Sequence, residues 1–251
     1  MSGHSKWSSI KHKKGAVDAK RGQLFSKLSR AIIVAARDGG SDPDGNLALQ
    51  NAIEKAREAS MPKDTIERAI ARGAGSDTDA ETYEHVTYEG YAPGGVAVLV
   101  EALTDNRNRT AADVRHLFSK SDGNLGTSGA VAWQFERKGV IICDADRVDE
   151  DELVLVAADA GADDVTLEES TLQVTAPPEQ LAAVRRALED AEIAYESAEL
   201  TMVPKTTIRI EDQSAARKVL KLMDALDEND DVQGVYANFD ISEQVLEAVS
   251  A

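Results

Sequence analysis

The chain has 251 residues, of which 42% are apolar and 29% are charged, with a formal net charge of −17 and a single cysteine. This is the composition of a globular protein, and the length suggests two domains or three small ones. Residues 31–36, an apolar run that no other run in the chain exceeds in length, fall far short of the roughly 20 residues of a membrane span. A lone Cys143 excludes an internal disulfide framework and a cysteine-based zinc site. No secretory signal opens the sequence, so we expect a soluble cytoplasmic protein.

Basic residues are concentrated at the N-terminal end. Residues 1–37 hold nine basic side chains and one acidic one, whereas residues 76–251 hold 14 basic and 37 acidic side chains. Such an asymmetry indicates an anionic partner, nucleic acid above all, for the basic part. Because charges are screened beyond about 8 Å at physiological salt, the basic part can bind a polyanion despite the acidic remainder.

Residues 1–21 are predicted to form a basic flexible arm, because they show no sustained apolar period. From Lys20, apolar residues recur at spacings of three and four up to Gly39-Gly40, which predicts a helix. Lys20, Lys27, Arg30 and Arg37 fall on one face of this helix, away from the apolar stripe. We therefore expect a helix that buries one side and presents a basic side.

Two shorter helices are predicted, near residues 46–58 and from Pro62 to Gly73. Together with the first helix they would make a three-helix domain over residues 22–78. Asp42, Asp44 and Asn46 copy the start of a calcium loop, but the glycine and the final glutamate of such a loop are missing. A helix cap at Asp44 or Asn46 is the expected role.

From Tyr83 the apolar period changes to two. Strands are predicted over residues 83–91 and 96–103, with a Pro-Gly-Gly turn between them. Thr110 followed by Asp113 predicts the start of a helix. A further strand is expected through Val131, Trp133 and Phe135.

Residues 139–203 show the element order strand, helix, strand, strand, helix, strand, which is the ferredoxin-like arrangement. This segment holds 3 basic and 17 acidic side chains. A strand at 207–210, a helix at 214–226 and a strand at 232–239 are predicted to complete the sheet begun at 83–137. The expected fold is therefore α+β. Its three-helix domain is followed by a discontinuous α/β domain, residues 79–138 and 204–251, into which the acidic ferredoxin-like domain is inserted.

The sequence offers no catalytic constellation. Its four histidines share no ligand spacing, and neither a nucleophile elbow nor a phosphate loop is present. Cys143 lies in an apolar strand, where thiols are usually inert. We expect no enzymatic activity, no metal site and no cofactor.

Two features point to nucleic acid. In the arm, lysines can neutralise phosphates, and Trp7 and the histidines can stack on unpaired bases; a plain tail and a mitochondrial targeting segment are the alternatives. Residues 105–109 with Arg115 can grip phosphate, but Asp105 and Asn106 can equally structure a turn while the arginines pair with acids. The candidate nucleic-acid-binding residues are His4, Lys6, Trp7, Lys11, His12, Lys13, Lys14, Lys20, Arg21, Lys27, Arg30, Arg107, Arg109 and Arg115.

Short motifs along most of the chain carry a family resemblance. They lie at residues 3–7, 11–14, 21–22, 39–40, 61–64, 68–70, 88–91, 93–95, 103–110, 123–126 and 138–139. In these motifs the chain resembles the YebC family, which includes mitochondrial translational activators of cytochrome oxidase. The resemblance implies a three-domain, non-enzymatic protein that is cytoplasmic in bacteria. Because the arm motif begins at residue 3, it leaves no room for a presequence, which disfavours the mitochondrial alternative.

Members of that family are described either as DNA-binding transcriptional regulators or as translation factors that act on ribosomes, some easing synthesis through consecutive prolines. We favour a ribosomal-RNA-binding translation factor, a monomer with ribosomal proteins as further partners and no membrane contact. A DNA-binding transcriptional regulator is the alternative, with the helix from Pro62 to Arg72 as the reader. That helix has few side chains suited to base edges.

Overall fold

The computed structural model describes residues 18–75, 83–168, 170–242 and 245, with the side chains of 18–20 and 168 outside the description. The described residues form two compact units. Of the described residues, one unit comprises those within Trp133–Arg209 and Asn238–Asp240, and the other comprises those within 18–132, 210–237 and 241–245. Helices and antiparallel sheets make an α+β protein with a helical N-terminal region, so the predicted fold class is confirmed.

The main elements in chain order are α1 (Asp18–Gly39), α2 (Leu47–Glu58), α3 (Lys63–Ala74), β1 (Glu84–Ala92), β2 (Val96–Thr104), α4 (Arg107–Lys120), β3 (Asn124–Leu125), β4 (Phe135–Asp144), α5 (Glu150–Asp159), β5 (Asp164–Glu168), β6 (Thr171–Ala176), α6 (Leu181–Asp190), β7 (Ser197–Pro204), β8 (Ile208–Ile210), α7 (Gln213–Asp227), β9 (Val232–Ala237) and β10 (Phe239–Ile241). Short 3-10 turns occupy Pro93–Gly95 and Ala132–Gln134. Among the described residues, no helix combines the length and apolar character that crossing a bilayer requires.

The three N-terminal helices pack around an apolar core, with α2 and α3 both lying against α1. Asn46 caps α2 by accepting a hydrogen bond from the Leu49 N–H at 3.1 Å. Its amide nitrogen donates to the carbonyl oxygens of Ala35 and Gly40, both at 2.7 Å, at the end of α1. The expected helix cap is thus confirmed at Asn46, which also fixes the α1–α2 corner because one buried side chain satisfies groups of both helices.

A four-stranded antiparallel sheet with the order β3-β1-β2-β9 forms the centre of the same unit. Strand β2 is buried along nearly its whole length. Helices α4 and α7 contact each other and β1, so they lie side by side on one face of this sheet. The prediction that the C-terminal elements complete the sheet is confirmed for β9, whose Val235 lies opposite Val100. It is wrong for β8, which pairs with β10 in a separate two-stranded sheet.

Three predicted boundaries differ from the structure. Helix α4 begins at Arg107 rather than Thr110, because the Asn106 side chain caps it by accepting from the Arg109 N–H. The segment around Trp133 is a 3-10 turn, and the strand begins only at Phe135. The strand predicted over 232–239 breaks into β9 and β10 at Asn238.

The acidic segment is built as predicted in its element order, with a sheet of order β5-β6-β4-β7. Leu153 of α5 and Leu188 of α6 belong to its apolar core. Burial also raises the pKa of the Cys143 thiol to about 11, which leaves it protonated and inert. Strands β4 and β7 pair to their outer ends, where Phe135 lies opposite Pro204. The chain therefore enters and leaves this sheet at adjacent positions.

Candidate nucleic-acid interface

Most of the predicted arm lies outside the described residues. This applies to His4, Lys6, Trp7, Lys11, His12, Lys13 and Lys14, and to the side chain of Lys20. Their role in binding nucleic acid stays a prediction that rests on the sequence. The other six candidates lie on α1 and α4, where their contacts can be followed.

Arg21 lies exposed near the start of α1. Its guanidinium carbon lies 5.4 Å from the centroid of the Phe25 ring. A cation–π contact of this kind at an exposed site is worth about 0.5–1 kcal/mol, and it uses the face of the guanidinium rather than its N–H donors. The Arg21 donors therefore remain accessible to an anion.

Lys27 and Arg30, further along α1, face the segment that joins α7 to β9. The Lys27 ammonium donates to the carbonyl oxygen of Asp227, the last residue of α7, where the helix dipole favours a cation. Arg30 donates to the carbonyl oxygen of Asp230 at 2.6 Å and to Asp231 Oδ1 at 3.0 Å. The basic side predicted for α1 is thus partly occupied by contacts within the protein.

Asp231 is the centre of a buried polar cluster and is only 5% exposed. Its Oδ1 accepts from Arg30, while its Oδ2 accepts from Arg109 at 2.9 Å and from the Thr110 hydroxyl at 2.7 Å. Burial pushes the pKa of this carboxyl upward, but the hydrogen bonds from Thr110 and Arg109 and the charges of both arginines outweigh it. The pKa of Asp231 is therefore held below its usual range.

The arginines of α4 differ in their surroundings. Arg109 also binds Asp105 at 2.7 Å, and the hydrogen bonds that it donates to Asp231 and Asp105 raise its pKa. Arg107 lies 3.6 Å from Glu84, and its side chain is largely exposed. Arg115 is exposed and contacts no acid among the described residues. Asp105 and Asn106 thus structure the turn, as one of the two interpretations of this segment expected, while the phosphate role of Arg107 and Arg115 stays a prediction.

Arg30 and Arg109 line an open polar pocket of about 350 Å³ together with Tyr83. Four aspartates, Asp105, Asp113, Asp230 and Asp231, share its wall. Because negative groups outnumber positive ones, this pocket does not favour a phosphate. The two arginines that the structure brings together are thus held by carboxylates.

The sequence analysis missed two acids that organise this unit, Asp231 and Glu89. Glu89 is 5% exposed, and its carboxylate accepts from the backbone N–H groups of Gly129, Val131 and Ala132, each at 2.7 Å. Burial raises the pKa of Glu89, but these three hydrogen bonds outweigh it and hold the pKa below its usual range. For Glu89, the only signal in the sequence was an acidic residue between two tyrosines of a predicted strand.

The described residues contain no group of three or more His, Cys, Asp and Glu side chains arranged to hold a metal ion. Their architecture defines an α+β protein with a basic helical N-terminal region and a net-acidic remainder. Models of the TACO1/YebC N-terminal domain and of the TACO1/YebC second and third domains match residues 5–76 and 83–239. The chain therefore belongs to the TACO1/YebC family, and the resemblance seen in its motifs is confirmed.

Individual relatives are similar along the whole chain. Proteins from Rubrobacter xylanophilus and Syntrophobacter fumaroxidans are 62% and 54% identical to it over 250 residues, with 100% of each chain covered. Both are named probable transcriptional regulatory proteins. The crystal structure of a conserved hypothetical protein from Aquifex aeolicus matches with a TM-score of 0.81 and 52% identity, covering 92% of this chain and 95% of that one.

Proposed function

We propose that the protein is a nucleic-acid-binding regulator of gene expression, which binds phosphates through its arm and the start of α1. The observation that carries this proposal is the charge partition, with nine basic and one acidic side chain in residues 1–37 of a chain whose net charge is −17. Lysines and arginines that neutralise phosphates release condensed counterions, which drives binding without a preformed pocket. Arg21 offers an accessible guanidinium where the arm meets α1.

Regulation of transcription is the more specific function that we propose first. The names of the relatives from Rubrobacter and Syntrophobacter support it. The connection between α2 and α3 adds a structural argument, because it spans four residues and contains Ser60 in the left-handed region, with φ of 58°. Helix-turn-helix motifs use connections of this length, so α3 would be the helix that reads DNA.

A translation factor that binds ribosomal RNA and assists synthesis through proline-rich stretches is the second candidate. It is favoured by the exposed face of α3, where cations alternate with acids. Lys63 lies 3.6 Å from Glu67, and Arg68 donates to the Asp64 carbonyl oxygen at 3.1 Å. Such a face offers few free donors for base edges, whereas Trp7 and the arm histidines suit unpaired bases. In both candidates we place the protein in the bacterial cytoplasm as a monomer, with ribosomal proteins as further partners in the second.

Ultraviolet cross-linking in growing cells, with sequencing of both the RNA and the DNA attached to the protein, tests this proposal. A variant with Lys11, Lys13 and Lys14 changed to Ala runs beside the natural chain. Cross-links to promoter DNA that disappear in this variant support a transcriptional regulator. Cross-links concentrated at one ribosomal RNA region, and lost in the variant, support the translation factor instead.

The matched control changes Arg147, Arg185 and Arg186 to Ala, which removes the same charge from the acidic segment. Its cross-links should equal those of the natural chain, because that segment has 3 basic against 17 acidic side chains and is not expected to touch phosphate. If all three proteins cross-link to neither nucleic acid above background, the proposed function is wrong.

A further inference from the structure

Basic residues of the acidic part of the chain are gathered on two helices. Residues 76–251 contain 14 basic side chains, and α4 and α7 hold seven of them. These are Arg107, Arg109, Arg115, Lys120, Arg217, Lys218 and Lys221. The same two helices contain only three acids, although acids outnumber bases 37 to 14 in residues 76–251. The α4–α7 layer, defined by these two helices, is thus basic, although residues 76–251 as a whole are acidic.

The packing of these helices turns their charges outward. Val114 and Phe118 of α4 and Val219 and Leu222 of α7 are fully buried, in the layer between the helices and the sheet. Arg115, Lys120, Arg217 and Lys221 are all exposed. Arg217 and Lys221 lie one helical turn apart and therefore share the outward face of α7.

Acidic partners account for only part of this charge. Arg109 binds Asp105 and Asp231, Arg107 lies near Glu84, and Lys218 reaches Asp122 Oδ2 at 2.7 Å. The contact between Lys218 and Asp122 joins α7 to the turn that follows α4. Asp122 adopts the left-handed backbone conformation in this turn, with φ of 57°. Among the described residues, Arg115, Lys120, Arg217 and Lys221 contact no acid. Like charges that share a surface repel each other, and a polyanion laid across them removes this repulsion.

We propose that the α4–α7 layer is a second phosphate-binding surface, which contacts the backbone of the nucleic acid that the arm binds. This inference rests on the proposed function. Phe118, the only Phe, Tyr or Trp residue of the two helices, is buried, so the exposed His116 is the one aromatic ring that they present to solvent. With four exposed cations and a single imidazole, the surface mainly positions the phosphate backbone, and it adds affinity without sequence preference.

The test uses the full-length protein with Arg217 and Lys221 both changed to Ala. Binding of a labelled single-stranded RNA and of a DNA duplex is measured by fluorescence anisotropy between about 50 and 300 mM salt. Each phosphate contact contributes about 0.7–0.9 to the slope of log affinity against log salt, so the slope should fall by about 1.4–1.8. At about 0.1 M salt this corresponds to a roughly 25- to 60-fold loss of affinity. The variant with Arg115 and Lys120 changed to Ala should behave alike.

Two further proteins separate this inference from the proposed function. Changing Arg185 and Arg186 to Ala removes equal charge from the acidic segment and should leave the slope unchanged. The Lys11, Lys13 and Lys14 variant should flatten it. If the arm variant flattens the slope and both α4–α7 variants match the control, the second surface is wrong and the proposed function stands. If no variant flattens the slope, the second phosphate-binding surface and the proposed function are both wrong.

The occupant of the surface is tested with a polyglutamate peptide as a non-nucleic polyanion. Binding of the peptide that is lost on changing Arg217 and Lys221, together with unchanged binding of RNA and DNA, would assign the surface to an acidic protein and overturn the inference. Urea unfolding midpoints equal to that of the natural chain establish that the variants are folded.

Discussion

Asp231 connects side chains from two regions of the chain through one carboxylate. Arg30 of α1 binds its Oδ1, and Arg109 and Thr110 of α4 bind its Oδ2. The backbone of Asp231 adds a further tie, because its carbonyl oxygen accepts from the Leu103 N–H at 2.8 Å. The helical N-terminal region is thus attached to the sheet of the same unit by charged hydrogen bonds.

Changing Asp231 to Asn should lower the free energy of unfolding by about 1–3 kcal/mol. The amide keeps the shape of the carboxyl but loses the charge that both arginines bind, and hydrogen bonds to charged groups are worth about this much. Urea unfolding at pH 7 measures the loss as a lower midpoint. The control is Asp230 to Asn at the exposed neighbouring residue, where we expect a change within about 0.5 kcal/mol. Equal midpoints for the two variants would contradict a special role of the Asp231 charge.

Glu89 makes the stability of the molecule depend on pH. Because its pKa is lower in the folded than in the unfolded protein, its contribution is complete above the unfolded pKa of about 4.3 and is lost as the pH falls through the folded value. The stability difference between the natural chain and a Glu89 to Gln variant should therefore be largest at pH 7 and shrink toward pH 3. Urea midpoints at pH 7, 5, 4 and 3 measure it. A difference that stays constant over this range would show that the carboxylate charge is not the cause.

At the scale of the elements, most helices and strands follow from local patterns. The three-residue and four-residue spacing of apolar residues predicted α1, and the alternation of period two predicted β1 and β2. The start of α4 was mispredicted because the Thr110 hydroxyl bonds to Asp231, while Asn106 is the cap. Nothing in the sequence near Thr110 predicts that its hydroxyl binds Asp231, which lies far along the chain.

The segment around Trp133 was mispredicted for a related reason. Its alternating apolar residues are typical of a strand, but the Glu89 carboxylate takes the N–H groups of Val131 and Ala132. Backbone donors that bind a side chain are not available for a sheet ladder, so the segment turns before β4 begins. A competition between a distant side chain and the backbone is not visible in a local pattern.

Gly73 lies on α3 where this helix approaches α1 closely enough to exclude a side chain. A Cβ atom at Gly73 would lie 2.3 Å from the Ile33 carbonyl oxygen and 2.8 Å from the Ala36 Cβ, so the helices must separate to accept it. Changing Gly73 to Ala should lower the free energy of unfolding by about 1–3 kcal/mol, as overpacking does. Thermal or urea unfolding monitored by circular dichroism gives the measurement.

Gly22 provides the matched control, because it also lies in a helix and a Cβ atom there would meet nothing within 4 Å. Changing Gly22 to Ala should stabilise the protein by about 0.5–1 kcal/mol, since alanine favours helix more than glycine does. A Gly73 variant as stable as the Gly22 variant would mean that α1 and α3 are not in close contact.

For the whole molecule, the charge partition could be predicted from the sequence, but the contacts of the individual cations could not. From the sequence alone, Arg30 and Arg109 look like phosphate ligands, because the acidic residue that pairs with both, Asp231, lies much further along the chain. Conversely, the basic character of the α4–α7 layer emerges only when two helices that are distant in sequence lie side by side. Which cations remain accessible is therefore a property of the fold.

The acidic segment should oppose the binding of nucleic acid at low ionic strength. Asp146, Asp159 and Glu179 are exposed there. Changing them to Asn, Asn and Gln removes three negative charges, which should raise the affinity for nucleic acid about threefold at low salt, because long-range repulsion falls. At about 300 mM salt the difference in affinity between the variant and the natural chain should vanish, because the screening length is shorter. Anisotropy titrations at both salts measure the effect, and a gain that persists at high salt would indicate a new contact rather than reduced repulsion.

The adjacency of the ends of the acidic sheet has a consequence for the order of folding. Strands β2 and β9 pair although Val98 and Ala237 are far apart in sequence, and closing a longer loop loses more chain entropy. Once β4 and β7 have paired, Gln134 and Lys205 are held together by a backbone hydrogen bond of 2.8 Å, and the loop to be closed is effectively shorter by the whole intervening segment. We therefore expect amide protection in β4 and β7 to appear before protection in β2 and β9 during refolding, which pulsed hydrogen exchange can measure.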